Sequence, residues 1–217
     1  MNNNSIELVA LTQPRIAEIS PEDFTAYIAR IGRVKSNPAR LLHYLIEHAH
    51  WSPFEHTFAT FKIITSRAIG RQLLRHRSFT FQELSQRYEI PIGFEQVELR
   101  EQCTNNRQSS TTTCDPLITY QNQTLPASQA VEQFLYQARE LYEALIAAQI
   151  ARECARFILP EVTTTTLLMT GSLRSWIHFL AIRDDAHAQK EVQQLARGIK
   201  HIFIKEFPNI SVAAFGK

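Results

Sequence analysis

Two runs rich in β-branched and aromatic residues, HTFATFKIIT (His56–Thr65) and EVTTTTLLMT (Glu161–Thr170), stand on either side of residues 66–160. Each has the composition of a strand at least half buried. What lies between them is helical or irregular in pattern. Strands so few and so scattered exclude a regular βαβ alternation, and α+β is the class expected. A chain of 217 residues with 44% hydrophobic residues can bury one sizeable core. The expectation is a single domain over 1–217 with a small mixed or antiparallel sheet packed against long helices.

Helix signals flank the strands. Ser20 as N-cap, Pro21 at the first position and Asp23 in the first turn precede Phe24, Tyr27, Ile28 and Ile31 at helical spacing. Asn37 and Pro38 open a second helix with Leu41, Leu42, Leu45 and Ile46 as its buried stripe. After a turn at Trp51–Pro53 and the first strand, Ser66 is expected to cap a helix through His76, with Ile69, Leu73 and Leu74 inward. Arg67, Arg71 and Arg75 then recur every four residues on another face. From Pro91 to Thr124 periodicity fails, and CTNNRQSSTTTCDP (Cys103–Pro116) reads as a long polar loop, with short strands near Gln96–Leu99. A long amphipathic helix is expected over Ser128–Leu159, stopping before Pro160. Ser172 caps another to Ile182, and the last runs from Asp185 to Phe207.

Lys+Arg 23 against Asp+Glu 21 gives a formal net charge of +2, so no whole-chain field drives binding to nucleic acid or a membrane. The N-terminal MNNNSIELVALTQP has no basic stretch followed by an apolar one, and no apolar run approaches the ~20 residues of a bilayer span. A cytoplasmic protein with no membrane or nucleic-acid partner is expected. Cys103, Cys114 and Cys154 form no CxxC pair and are read as reduced thiols.

Anion specificity must therefore be local, and RQLLRHRSFTFQELSQRY (Arg71–Tyr88) is where cationic residues gather. The six glycines form neither GxGxxG nor a P-loop, so side chains must replace glycine-rich backbone if a nucleotide is bound. A guanidinium suits that task because its planar fork grips phosphate or a carbonyl pair. Spacing alone leaves a solvated arginine face equally open. His43, His48, His50 and His56 are close in sequence but lack metal-site spacing, and no metal is expected. His178 and His187 flank Arg183, where a neutral imidazole can serve a ligand or a backbone group. Ser85 lacks a nucleophile elbow or an identifiable base, so hydrogen bonding to phosphate or base is its simpler role. Trp51 and Tyr88 are candidates for stacking on a ring or for the core.

The RHR of Arg75–Arg77 followed by Ser85 resembles the signature of the flavin-dependent thymidylate synthases. The resemblance extends to HWSPFEH (His50–His56), ARFILP (Ala155–Pro160) and TGSLRSWIHFLAIRDDAHAQKEVQQLA (Thr170–Ala196), covering roughly residues 26–206 in order. It implies an α+β homotetramer with active sites between subunits, binding FAD, dUMP, methylenetetrahydrofolate and NADPH. The implied reaction is reductive methylation of dUMP to dTMP, releasing tetrahydrofolate, with no cysteine nucleophile on the uracil. By this resemblance Gln72, Leu73, Leu74, Arg75, Glu83, Leu84, Ser85, Gln86, Arg87, Arg156 and Arg183 match dUMP-holding positions. Ser52, Arg75, His76, Arg77, Glu83, Ser172, Leu173, Arg174 and His178 match FAD-holding ones. The implied catalytic set is Arg183, which polarises the uracil ring, with Arg87 and the flavin-proximal His50. Ser172 departs from an asparagine common in the family, and either Gly32 or Ser36 stands where an N-terminal serine would meet the flavin.

Two other readings compete. One is a non-catalytic nucleotide or RNA-binding module in which the arginines hold phosphates while Phe79, Phe81 and Tyr88 stack bases. The other is a flavoprotein that oxidises NADPH without carbon transfer.

Overall fold

Strand β1 (Ser5–Leu11) opens the chain in the computed structural model, which describes residues 5–16, 18–31, 37–90 and 93–216. The choice between Gly32 and Ser36 lies outside the described residues. Helix α1 (Pro21–Ala29) begins as its caps dictate: the Ser20 side chain accepts from the Asp23 N–H at 3.0 Å. Its buried face is not the apolar one. Glu22, Thr25 and Ala26 are inside, the Thr25 and Thr57 hydroxyls pair at 2.9 Å, and Ile31 is exposed. Helix α2 (Pro38–Glu47) buries Leu42 and Leu45, while Leu41 and Ile46 are half-buried.

A 3-10 turn (Ser52–Glu55) leads into β2 (Phe58–Ser66), where Ala59, Phe61 and Ile63 alternate inward. Helix α3 (Arg67–Leu73) follows without a gap and is shorter than the apolar pattern suggests. Because it stops at Leu73, Leu74 points to solvent. Strand β3 (Thr80–Glu83) comes next.

The polar stretch is two antiparallel hairpins, not one loop. β4 (Arg100–Gln102) pairs with β5 (Ser110–Thr113), and β6 (Leu117–Tyr120) with β7 (Gln123–Pro126). Gln121 and Asn122 both have positive φ, the two-residue turn a twisted hairpin favours, but without the glycine that advertises it. Asp115 then caps α4 (Ala127–Ala147), accepting the Ser128 N–H at 2.8 Å and its hydroxyl at 2.7 Å.

Helix α4 ends twelve residues earlier than the amphipathic pattern implies, at Ala147 where Leu159 was expected. Gln149 takes a left-handed conformation with φ 61°, and the Ile150 N–H returns to the Leu145 carbonyl at 3.0 Å. A short α5 (Arg152–Ala155) and a 3-10 turn (Arg156–Ile158) complete the segment. Strand β8 (Thr164–Ser172), then α6 (Leu173–Arg183), α7 (Lys190–Glu206) and α8 (Pro208–Phe215) finish the fold, α8 being unforeseen.

The described chain divides into two compact units. One comprises Ile64–Arg71 and Glu83–Thr165, and holds both hairpins and α4. The other comprises the residues up to Ile63, Gln72–Gln82 and those from Thr166 on. Its sheet, of order β1-β2-β8-β3, carries Phe61 and Met169 into a core with Trp176, Phe179 and Phe203, all fully buried. The class is α+β. Among the described residues no helix is long and apolar enough to cross a membrane.

Candidate active site

In the second unit, α2 closes with Ala49 left-handed at φ 55° and the His50 N–H donating to the Leu45 carbonyl at 2.8 Å. That closure leaves the His50 ring exposed, edge-on to Tyr44 at 6.0 Å. Five residues on, Glu55 ends the 3-10 turn and joins two predicted flavin residues. Its Oε2 accepts the Ser172 hydroxyl at 2.6 Å, and its Oε1 accepts from Arg174 Nη1 at 2.8 Å. The Ser172 hydrogen bond, followed by Arg174, holds the Glu55 carboxyl below the usual glutamate range despite partial burial. Ser172 is buried and also caps α6, accepting the Ser175 N–H.

Glu55, Arg174 and His178 line a cavity of about 600 Å³ whose apolar wall includes Trp51, Ile177 and, from α8, Ala214. Ser52 is exposed at the first residue of the same 3-10 turn. Sequence reasoning missed Glu55. Its signal was available, since it is the one acid within HWSPFEH.

His76 follows the last turn of α3, where its N–H caps the Leu73 carbonyl at 3.0 Å. Its ring meets Phe179 edge-on at 5.0 Å, and its Nε2 accepts from Arg183 Nε at 3.0 Å. Burial first, then the Arg183 charge and His178, lower its pKa from 6.5 to about 4. At neutral pH the ring is therefore neutral, with Nε2 as acceptor and the proton on Nδ1. Arg183 is the last residue of α6. The next residue, Asp184, is held by Arg197 Nε at 2.8 Å and Lys200 Nζ at 2.7 Å, which pins this helix end to α7. Gln72 donates to Gln189 Oε1 at 2.6 Å. Arg75 and Arg77 are exposed and form no ion pair among the described residues.

Leu73 and Leu173 are fully buried, so ligand contact from either side chain is closed off; the Leu173 N–H is also spent, on the Thr57 carbonyl at 2.9 Å. Phe79 lies in the core against Trp176 at 4.7 Å between ring centroids, which removes it as a base-stacking platform.

The remaining residues expected to hold substrate are in the first unit. Glu83 accepts from the Thr165 hydroxyl at 2.9 Å and pairs with Arg67 at 3.6 Å. Arg71 pairs with Glu161 at 2.6 Å, so two of the three row arginines are neutralised by local carboxylates. The Ser85 hydroxyl accepts the Arg87 N–H at 3.3 Å, and Arg87 Nη2 reaches Glu153 at 3.2 Å. Leu84 is half-buried, and Gln86 is buried with no partner for its side-chain nitrogen among the described residues. Arg152 hydrogen-bonds the Tyr88 carbonyl, and Arg156 stands over the Phe157 ring at 5.8 Å. Among the described residues no cluster of three or more His, Cys, Asp or Glu is placed to hold a metal ion.

Arg174 and His178 of α6 thus line the cavity, and Arg183, paired with His76, ends the same helix in the same unit. The family model described as thymidylate synthase complementing protein matches residues 9–209. A flavin-dependent thymidylate synthase of Synechocystis sp. is 40% identical over 215 residues, covering 96% of this chain and 98% of its own. A probable flavin-dependent thymidylate synthase of Paramecium bursaria Chlorella virus 1 is 41% identical over 219 residues, with the same coverage. The flavin-dependent thymidylate synthase of Kosmotoga olearia is 34% identical over 202 residues, covering 89% of this chain and 86% of its own. The chain belongs to the flavin-dependent thymidylate synthase family.

Proposed function

We propose that this enzyme converts dUMP to dTMP with methylenetetrahydrofolate as one-carbon donor and NADPH as reductant, through bound FAD. The observation that carries this reading is the Glu55-linked pair Ser172 and Arg174 with His178 at one cavity, in a chain matched to the family over nearly its whole length. The cavity suits a flavin: about 600 Å³ lies within the range of small-molecule sites. Glu55 is bonded to one guanidinium nitrogen of Arg174, which leaves further N–H groups for a pyrophosphate.

The chemistry that bound FAD would supply is transfer of a hydride, taken from NADPH, to the one-carbon unit. Arg174, with the exposed Arg75 and Arg77, would hold cofactor phosphate, and Ser52 and His178 would complete its polar contacts. Ser172 would act through order rather than direct grip, because its hydroxyl is engaged by Glu55 and the Ser175 N–H, whereas Glu83 takes Thr165 and Arg67 on Oε1 and would offer Oε2 to a ligand. Ser85, Arg87, Arg156, Gln72 and Gln86 would hold dUMP, the last with a free buried donor. Arg183 would stabilise the negative charge that grows on the pyrimidine as C5 becomes nucleophilic. Arg87 and His50 are the further catalytic candidates.

The residues matched by the family model support one catalytic domain over the chain. Exposed Phe134, Tyr136 and Leu141 on α4, and Phe157, offer apolar surface for the expected homotetramer. The near-neutral charge favours small-molecule partners over nucleic acid or a membrane surface, and a cytoplasmic location is part of the same reading. Incubating the protein with FAD, dUMP, methylenetetrahydrofolate and NADPH should yield dTMP and tetrahydrofolate. NADPH oxidation without dTMP would leave the reductase, and failure to take up FAD would leave the binding module.

A further inference from the structure

Arg183 is the residue whose charge the chemistry above depends on, and a side chain this long is useful only if its guanidinium is held still. One anchor comes from α7 and stops short of it: Asp184, not Arg183, takes Arg197 and Lys200. The guanidinium itself is gripped at Nε, by His76 Nε2 at 3.0 Å. His76 in turn packs edge-on against Phe79, at 6.3 Å and 87°, and Phe179, at 5.0 Å and 74°, contacts that restrict its ring. A hydrogen bond from a cation to a nitrogen lone pair requires a neutral ring, which the surrounding burial enforces.

On the reading that Arg183 polarises the uracil, we propose that His76 is a positioning residue for it: the imidazole Nε2 fixes the Arg183 guanidinium, leaving both terminal nitrogens for the pyrimidine. The same ring presents Nδ1–H on its other side. His76 thus joins the arginine of the uracil chemistry to the RHR segment in one rigid contact, and its duty is not confined to cofactor binding. Glutamine can place an amide oxygen near the position of Nε2, whereas asparagine is too short to reach it.

The test is a double-mutant cycle with dUMP and FAD affinities measured alongside turnover. In the Arg183 background His76→Asn should lower kcat about tenfold or more, the loss of a hydrogen bond to a charged group. His76→Gln should recover most of that loss, and FAD should stay bound by its absorbance. In the Arg183→Ala background His76→Asn should add no further loss in kcat. An equal loss in both backgrounds, or a loss tracking FAD affinity alone, would overturn the proposal. Side-chain nitrogen NMR of the protein without ligands decides the bond independently of activity. The His76 Nε2 resonance should be that of an unprotonated nitrogen at neutral pH and should move in Arg183→Ala. An unchanged resonance refutes the contact. A wild-type protein that shows the contact but neither binds dUMP nor forms dTMP refutes the functional reading instead.

Discussion

Arg174 donates from Nη1 to Glu55 Oε1 across 2.8 Å, although 119 positions separate the two residues in the chain. Both side chains are about half exposed, so the pair adds little to stability. The second oxygen of Glu55 is different, because it satisfies the buried hydroxyl of Ser172. Glu55→Ala should therefore cost about 1–3 kcal/mol in urea unfolding, the penalty of an orphaned buried donor. It should also weaken FAD about tenfold by freeing Arg174. Ser172→Ala also removes the α6 cap, so alone it should destabilise, but in the Glu55→Ala background it should cost less because no buried donor is then left orphaned, and it should recover none of the affinity. Recovery of FAD affinity in the double variant would mean Glu55 does not order the cofactor site.

Arg183→Ala should lower dTMP formation about 10²–10³-fold, to a residual rate that can still be measured, while the flavin spectrum persists, because among the described residues Arg183 bonds His76 and does not line the cavity. Arg77→Ala should do the reverse, weakening FAD about tenfold or more through loss of a charge-assisted contact. Turnover at saturating FAD should then largely return. Flavin titration and a dTMP assay on both variants separate the two roles.

His76 makes stability depend on pH with a defined sign. Its folded pKa is about 4, against 6.5 unfolded, so above pH 6.5 neither state is protonated and the group contributes its full stabilisation. Between pH 6.5 and 4 the unfolded chain binds a proton that the native ring refuses, and stability falls. The difference in Tm between wild type and His76→Gln should shrink on acidification through that window. A constant difference would mean that the native ring titrates normally.

What the sequence made legible was whatever rests on short-range rules. Ser20 and Asn37 accept from the third residue beyond them, and the two β-rich runs are adjacent strands of one sheet. The failures share a cause. Gln149, Gln121 and Asn122 adopt positive φ without glycine to announce it, so the break after α4 and a hairpin were invisible. Side chains named from motif blocks fell where expected only in part. Ser172, Leu73 and Leu173 proved buried, because a motif marks the neighbourhood of a ligand without distinguishing side chains that face it from those that hold the frame.

Glu22 shows the same limit on the fold. Nothing local marks it as special, yet its oxygens accept the Ile210 N–H at 2.6 Å and Asn209 Nδ2 at 2.7 Å. It caps α8 from a distance, since Phe207 at the N-cap position has no oxygen to offer. Burial raises its pKa, so its contribution is greatest below the unfolded value of 4.5 and is lost as pH rises through the folded one. Glu22→Gln, which keeps an acceptor without the charge, should gain on wild type in Tm as pH rises from 4.5 to 7. Glu22→Ala should lose about 1–3 kcal/mol throughout.

Gly171 tests whether the core holds the site in place. A Cβ built there would lie 2.4 Å from Phe79 Cδ1, far inside contact distance. Phe79 cannot simply retreat, because its ring packs against Trp176 at 4.7 Å and Phe179 at 5.9 Å, and His76 lies beyond at 6.3 Å. Gly171→Ala should therefore destabilise by about 1–3 kcal/mol, the usual cost of overpacking. Because Phe79 also packs against His76, displacing its ring should loosen the Arg183 contact, and kcat should fall even where the protein remains folded. Phe79→Leu in the same background relieves the clash, and recovery of both stability and kcat would tie the strand to the catalytic arginine. Recovered stability with kcat still depressed would place the defect elsewhere.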